Sequence, residues 1–253
     1  MAIGTIIHRF ESLPSTNDTA QEFARAGAAH GTVVVADEQT RGRGTKGRSW
    51  HSPRGRGLYA SFILRWDDPE GSGTPFSLLP LAAGLAAVEA VHVSTGVEAR
   101  LKWPNDLVLG RKKLGGILTE AAFRAEGPGR AVVGVGLNVN QEDEDFPGEL
   151  KATATSIRLA TGRPVDLEAL LASLCRTLDC WYNSLVQGGR ERVVRSYEER
   201  MAFRVGTRVR VATAGGETAG IFGGLTPEGR LRLESVGGPG SVSLEEILGL
   251  DWD

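Results

Sequence analysis

The stretch that most constrains this chain is Gln39–Trp50, QTRGRGTKGRSW. No Asp or Glu lies between Gln39 and Arg65, while Arg41, Arg43, Lys46, Arg48, Arg54 and Arg56 are interspersed with Gly42, Gly44, Gly47, Gly55 and Gly57. The run TVVVA (Thr32–Ala36) before it reads as a buried strand, and LYASFILR (Leu58–Arg65) after it as a second strand. Glycine lets a backbone approach a ligand and aim its N–H groups at it, and guanidinium groups grip carboxylate or phosphate through paired hydrogen bonds. The segment reads as an anion-binding loop; a solvated basic loop and a nucleic-acid contact are the open alternatives.

A chain of 253 residues is long enough for one large domain, or a large and a small one. Its 29 basic and 31 acidic residues give a net charge of −2, so no global field draws it to DNA or to a membrane. The basic loop is therefore a local device. No positive–apolar–small export pattern opens the sequence, and no apolar run is read as approaching the ~18 residues of a membrane span. Cys175 and Cys180 fall on different faces of a predicted helix, which argues against a disulfide framework or metal site. Such usage fits a reducing, cytoplasmic setting.

Taken in order, Thr5–Phe10 reads as a strand. A helix follows Ser15-Thr16-Asn17 and ends at Gly27, with Ser15 and Asp18 as a capping pair. Hydroxyls at a helix start can equally turn toward a polar ligand. Pro75 opens a long helix to about Thr95 with Leu78, Leu81, Ala82, Leu85 and Val88 as its buried stripe, and His92 near its end is read as structural. In ARLKWPNDLVLGRKKLGGILTEA, a turn at Pro104–Asp106 and a second at Gly110–Arg111 gather Lys102, Asn105, Asp106, Lys112 and Lys113 into one hairpin. A carboxylate for a cation and lysines for an anion suit Mg–nucleotide chemistry; a solvent-facing hairpin is the bland alternative.

AVVGVGLNVN (Ala131–Asn140) is a strand whose Gly134 and Gly136 leave a flat patch, for a planar ligand or for a helix crossing the sheet. The acidic loop Asn140–Glu149 reads as solvated. A short helix over Thr155–Ala160, a helix capped by Asp166 and running to about Val186, and another over Glu191–Met201 complete this part. From Val205 the texture changes to short alternating runs between glycine-rich turns, the pattern of a small β-barrel.

QTRGRGTKGRSW, KWPNDLVLGRKKLGGIL and GVGLNVN, in this order with STN upstream, resemble the biotin protein ligase family, from about Thr5 to Asp253. The resemblance implies an α+β fold: a mixed, largely antiparallel sheet with helices packed on it over residues 1–203, then an SH3-like barrel over 204–253. It implies an enzyme that activates biotin with ATP and Mg²⁺ to biotinyl-5′-AMP, then transfers biotin to a lysine of a carboxylase's biotin carboxyl carrier domain. A homodimer is implied too. Lipoate ligases and octanoyl transferases share the scaffold.

Carried over, the resemblance assigns Ser15, Thr16, Asn17, Gln39, Gly42, Arg43, Gly44, Thr45, Lys113, Gly116, Gly134 and Gly136 to biotin. Arg48, Trp50, Asn105 and Asn138 go to the nucleotide, and Asp106 to the metal. Lys113 is the catalytic lysine, with Arg43 and Lys102 as further charges. The chemistry agrees: biotin carboxylate must meet an α-phosphate of like charge, so the site needs cations, while the acceptor lysine supplies the second nucleophile. Two features depart from the family. Thr45 stands where members often carry a second arginine (GRGRxGR), so the adenylate is expected to leak unless Lys46 substitutes. And the STN block starts at Ser15, which leaves no space for the winged-helix domain of members that double as repressors; no DNA role is expected.

Overall fold

The computed structural model describes residues 1–66, 74–122, 129–235, 238–242 and 246–253. Two sheets organise them. The larger has seven strands: β1 (Ile7–Leu13), β2 (Val33–Gln39), β3 (Gly57–Trp66), β4 (Arg100–Lys102), β5 (Asp106–Leu109), β6 (Lys112–Ala122) and β7 (Gly129–Asn138). Their spatial order is β1-β2-β3-β7-β6-β5-β4, with β1 and β2 parallel and every other pair antiparallel.

The alternation along β3 decides what lies on each face. Leu58, Ala60, Phe62 and Leu64 point into the main core, toward α2 (Thr74–Thr95) and α5 (Leu167–Val186). Ile63 points the other way and packs with Ala20 and Ala24 of α1 (Thr16–Arg25), Val34 and Val132. One face of the sheet is thus covered by long helices. The other carries the short α1, which leaves part of it open for a site.

The predicted stripe on α2 is too narrow. Leu78, Leu81, Ala82, Leu85 and Val88 are buried as expected, but so are Leu79, Ala83, Ala86, Ala87, Ala90 and Val91. A helix apolar on most sides must be enclosed on most sides, and α2 is, between the sheet and α5, until Val93 near its C-terminus is exposed. One expectation is corrected here: Phe76–Thr95, mean hydropathy 1.7, is long and apolar enough to cross a membrane by length and composition, yet 67% of that window is buried inside the protein. Its apolarity serves the core.

Asp166 caps α5 by accepting from the N–H groups of Glu168 and Ala169, as expected. Ser15 makes no side-chain cap on α1, so the predicted Ser15–Asp18 pair does not form. The acidic loop is not simply solvated either. It holds a helical turn at Asp143–Asp145 and the short α3 (Gly148–Lys151), with Phe146 buried and ion pairs from Asp145 to Arg56 and from Glu142 to Arg158. The chain continues through α4 (Ile157–Thr161) and α6 (Arg190–Glu199).

The second sheet is antiparallel and five-stranded: β8 (Arg208–Thr213), β9 (Gly216–Leu225), β10 (Leu231–Ser235), β11 (Gly238–Val242) and β12 (Ile247–Trp252), in the order β11-β10-β9-β8-β12. It is consistent with an SH3-like barrel. Strand β12 was not anticipated. Its ILGLDW buries Ile247, Leu250 and Trp252 in an uneven rhythm, across a register shift between Ile247 and Gly249.

Candidate active site

On the α1 face of the large sheet lies a cavity of about 400 Å³. Its walls come from the start of α1, the Gln39–Trp50 loop, the β4–β5–β6 hairpins, the middle of β7 and the segment around α3.

At one end Ser15, Thr16, Asn17 and Gln39 line the cavity with polar, uncharged side chains. Asn17 donates through Nδ2 to Glu120 Oε2 (2.9 Å) and stands 3.4 Å from the Leu118 carbonyl. The fully buried Ser61 hydroxyl lies 2.6 Å from Asn17 Oδ1 and 2.8 Å from Thr16 Oγ1, so its single proton serves one of them at a time. Thr16 gives both its backbone N–H (2.9 Å) and its hydroxyl (3.1 Å) to Gln39 Oε1, and Gln39 donates in turn to Ser52. Such a network fixes every member's orientation, because an unmade bond in a buried setting is costly.

At the other end the lining is cationic. Lys102, Arg48, Arg111 and Lys113 all face the cavity. Lys113 Nζ stands 2.6 Å from Asp106 Oδ1, yet that buried oxygen has no well-aligned hydrogen bond. The pair is an electrostatic contact which a competing cation or anion can open. Burial lowers the pKa of Lys102 below the ordinary lysine value, against the smaller raising effects of Asp106 and Asp251. The ammonium of Lys113 lies 5.4 Å from the centre of the Trp50 ring.

A bulge aims Lys113 inward. From Gly116 to Glu120, every second residue of β6 shares the cavity face with its β7 partner. Unbroken alternation would then place Leu114 in the cavity and Lys113 in the core. Instead β5 pairs Leu107 with Gly115 and Val108 with Lys113, skipping Leu114, which is fully buried. The extra residue re-registers the strand.

The basic loop is tied down at both ends. Arg43 forms ion pairs with Asp18 (3.2 Å) and, more closely, with Glu120. Trp50 N–H donates to the Gly42 carbonyl (2.8 Å) and Gly44 N–H to the Arg48 carbonyl (2.7 Å). Gly42 lies behind the wall and does not line the cavity; a β-carbon there would meet Trp50 O at 2.5 Å and Ser52 Oγ at 2.8 Å. Arg48 donates to Thr45, from Nη2 to the hydroxyl (3.1 Å) and from Nε to the carbonyl (3.3 Å).

Gly134 and Gly136 do make a flat patch, but the chain's own groups occupy it. Asn17 Oδ1 sits over Gly134, and the Trp50 indole lies on Gly136, where a β-carbon would come within 2.8 Å of the ring. Asn105 and Asn138 spend their amide donors on the fold: Asn105 Nδ2 donates to the Ile117 carbonyl (2.9 Å) and Asn138 Nδ2 to the Thr155 carbonyl (3.0 Å).

The biotin/lipoate A/B protein ligase family matches residues 9–138, which hold every wall except the α3 segment. The chain belongs to that family. It is similar to the bifunctional ligase/repressor BirA of Bacillus spizizenii, 37% identical over 226 residues, covering 89% of this chain and 68% of that protein. It is also similar to the biotin–[acetyl-CoA-carboxylase] ligase of Paracoccus denitrificans, 33% identical over 238 residues, 92% of this chain and 96% of that one. Among solved structures, the biotin protein ligase of Aquifex aeolicus in complex with biotin and ATP matches with a TM-score of 0.84 at 28% identity, over 98% of this chain and 100% of that chain.

Against this ligase fold, the structure gathers Ser15, Thr16, Asn17, Gln39, Arg43, Gly44, Thr45, Arg48, Trp50, Lys102, Asn105, Asp106, Lys113, Gly116, Gly134, Gly136 and Asn138 around one cavity. Lys112, drawn into the same hairpin by sequence, turns away toward the Lys151 carbonyl (3.4 Å). Sequence reasoning missed Ser61, Glu120, Arg111 and Phe146. Glu120 carried a signal, since it continues the alternation of Gly116 and Leu118. Ser61 carried none, being one small residue in an apolar strand.

Proposed function

We propose that the chain is a biotin protein ligase that couples biotin to AMP at the expense of ATP and then passes biotin to a lysine of a carboxylase's biotin carboxyl carrier domain. What carries the reading is the polarity of the cavity: a neutral hydrogen-bonding end at Thr16, Asn17 and Ser61, and a cationic end at Lys113, Lys102 and Arg48. That is the division a ureido ring at one end and a carboxylate meeting a phosphate at the other require. Relatives named for this activity match nearly the whole chain, which supports the same reading.

In this reading Ser15, Thr16, Asn17 and Gln39 hold the biotin head, and Gly134 and Gly136 shape its pocket by seating Asn17 and Trp50 against the sheet, as Gly116 seats Lys113 and Asp106. Arg43, Gly44 and Thr45 cover it. Lys113 leaves Asp106 to neutralise the oxygens shared by carboxylate and α-phosphate, with Lys102 and Arg48 beside it. Trp50, Asn105 and Asn138 shape the nucleotide end. Among the described residues no group of three or more His, Cys, Asp or Glu could hold a metal ion. A lone carboxylate, Asp106, with a buried and poorly partnered oxygen fits Mg²⁺ carried in on the triphosphate. That ion would supply charge neutralisation at the phosphates.

We take residues 1–203 as the catalytic unit and 204–253 as an appended barrel. For a homodimer the candidate seam is β1, which among the described residues is paired on one side only, whereas β4 at the opposite end is bridged by Met201. The free thiols Cys175 and Cys180 suit a cytoplasmic setting.

The test is ATP–pyrophosphate exchange with Mg²⁺ and biotin, lipoate, octanoate or no acid. Exchange that needs biotin is expected. Exchange with lipoate or octanoate alone would move the chain to the other branch of the family, and none with any acid would reject adenylation.

A further inference from the structure

Arg111 faces the cavity, and neither the basic loop nor the assigned site residues include it. It lies in the turn between β5 and β6, with a side chain 59% exposed, and a free arginine there would sweep a wide arc. It does not, because the last strand of the protein holds it. Arg111 Nη1 donates to the Trp252 carbonyl (2.7 Å) and stands 3.4 Å from Asp251 Oδ1, while its guanidinium lies 5.0 Å from the centre of the Trp252 ring. Asp251 is fixed in turn by Arg210 (3.1 Å).

The same indole has a second cation. Lys102 Nζ, from β4, lies 5.2 Å from the Trp252 ring centre. The ring is 8% exposed and packs on Phe203 at 5.4 Å, so it is a rigid partner for both cations. An aromatic face attracts a cation without cancelling its charge. The carboxylate beside them, Asp251, is shared, at 3.4 Å from Arg111 and 3.1 Å from Arg210, so it offsets Arg111 only in part and the ring is the contact common to both cavity cations. Arg111, Lys102, Arg48 and Lys113 together form the cationic end of the cavity, and two of the four are aligned from the C-terminal sheet.

Resting on the ligase reading above, we propose that Trp252 is a positioning residue for the nucleotide: through its ring and its carbonyl it holds Lys102 and Arg111 toward the polyphosphate of ATP. The C-terminal sheet would then contribute to ATP affinity and leave the biotin end of the cavity untouched.

Biotin-dependent ATP–pyrophosphate exchange on the full chain tests this with Trp252→Leu, Trp252→Phe and Arg111→Ala, varying ATP and biotin separately. Trp252→Leu and Arg111→Ala should each raise KM for ATP by about tenfold, the scale of one lost charge-assisted contact, with KM for biotin within about twofold. Trp252→Phe keeps an aromatic face and should restore most of the ATP affinity. An unchanged ATP KM in Trp252→Leu and Arg111→Ala would overturn the proposal. So would a parallel rise of both KM values, or a Phe variant as impaired as the Leu variant, which would mean that packing alone was lost. Arg111→Ala keeps the test valid if Trp252→Leu fails to fold. Absence of biotin-dependent exchange in the unmodified chain would instead bring down the ligase reading, and this assignment with it.

Discussion

Asn17 Oδ1 occupies the space in which Gly134 would carry a β-carbon, closer than van der Waals contact allows. The two residues meet across the neutral, hydrogen-bonding end of the cavity, one from the first turn of α1 and one from the middle of β7. Gly134→Ala must therefore push Asn17 off Ser61 and Glu120. The expected outcome is a biotin KM raised by about tenfold or more, each decade being worth ~1.4 kcal/mol, with ATP KM little changed. Steady-state exchange kinetics check it; an unaltered biotin KM would show that Asn17 does not bind the acid.

Ser61 is the buried link between Thr16 and Asn17. Ser61→Ala leaves whichever neighbour holds its proton one donor short, at a cost of about 1–3 kcal/mol. Thermal unfolding should fall by several degrees, on the scale of ~2–4 °C per kcal/mol for a chain of this size. Calorimetry beside biotin titration would show both losses; a variant as stable as the parent would place a water, not the hydroxyl, at the centre of the network.

Lys113 and Asp106 are 2.6 Å apart. Lys113→Ala removes the cation that is to meet the developing charge, and should lower exchange by at least about a hundredfold, the usual loss for one such group. Asp106→Asn frees the lysine and removes the carboxylate, so its activity should need more Mg²⁺. If Lys113→Ala kept near-normal exchange, the catalytic charge would have to come from Lys102 or Arg48.

Thr45, where the resemblance led us to expect a second arginine, has an occupation of its own: its hydroxyl accepts from Arg48. Thr45→Arg adds a cation at the mouth of the cavity while leaving Arg48 its bond to the backbone carbonyl. It should lower the release of free biotinyl-AMP in the absence of acceptor. Equal release from parent and variant, measured by chromatography of the supernatant, would rule this out.

Cys175 and Cys180 share α5 but not an environment. Burial pushes the Cys175 thiol up to about 11 from 9.0, whereas Cys180 is exposed. Because the folded pKa is the higher one, the contribution of this thiol to stability is complete below about pH 9 and is lost as pH climbs through about 11. A thiol reagent at about pH 8 should label Cys180 quickly and Cys175 only as the protein unfolds. Two equally fast labelling steps would contradict the burial.

The elements of this fold were legible because they follow local rules. The TVVVA and LYASFILR runs, the Asp166 cap and the long Ala/Leu helix each state their structure within a few residues. The site was legible as motifs and less so as geometry. Sequence placed Lys112 and Lys113 together; strand alternation separates their directions, and the skipped Leu114 decides that Lys113 is the one that faces the cavity. Ser61 and Glu120 enter the site through cross-strand neighbours far away in the chain, and Trp252 lies 150 residues from Lys102. The acidic loop looked like surface because its charges were counted and the single Phe146 among them was not.

The skipped residue at Leu114 also restricts how this hairpin can change. Adding or removing one residue between Lys113 and Gly115, on the strand side of the turn, would exchange the tenants of two compartments, putting an ammonium among leucines and an isobutyl group in the cationic end of the cavity. Changes by two would restore the facing. Length variation in this segment among functional homologues should therefore be even in number, a parity rule that an alignment of active enzymes can test.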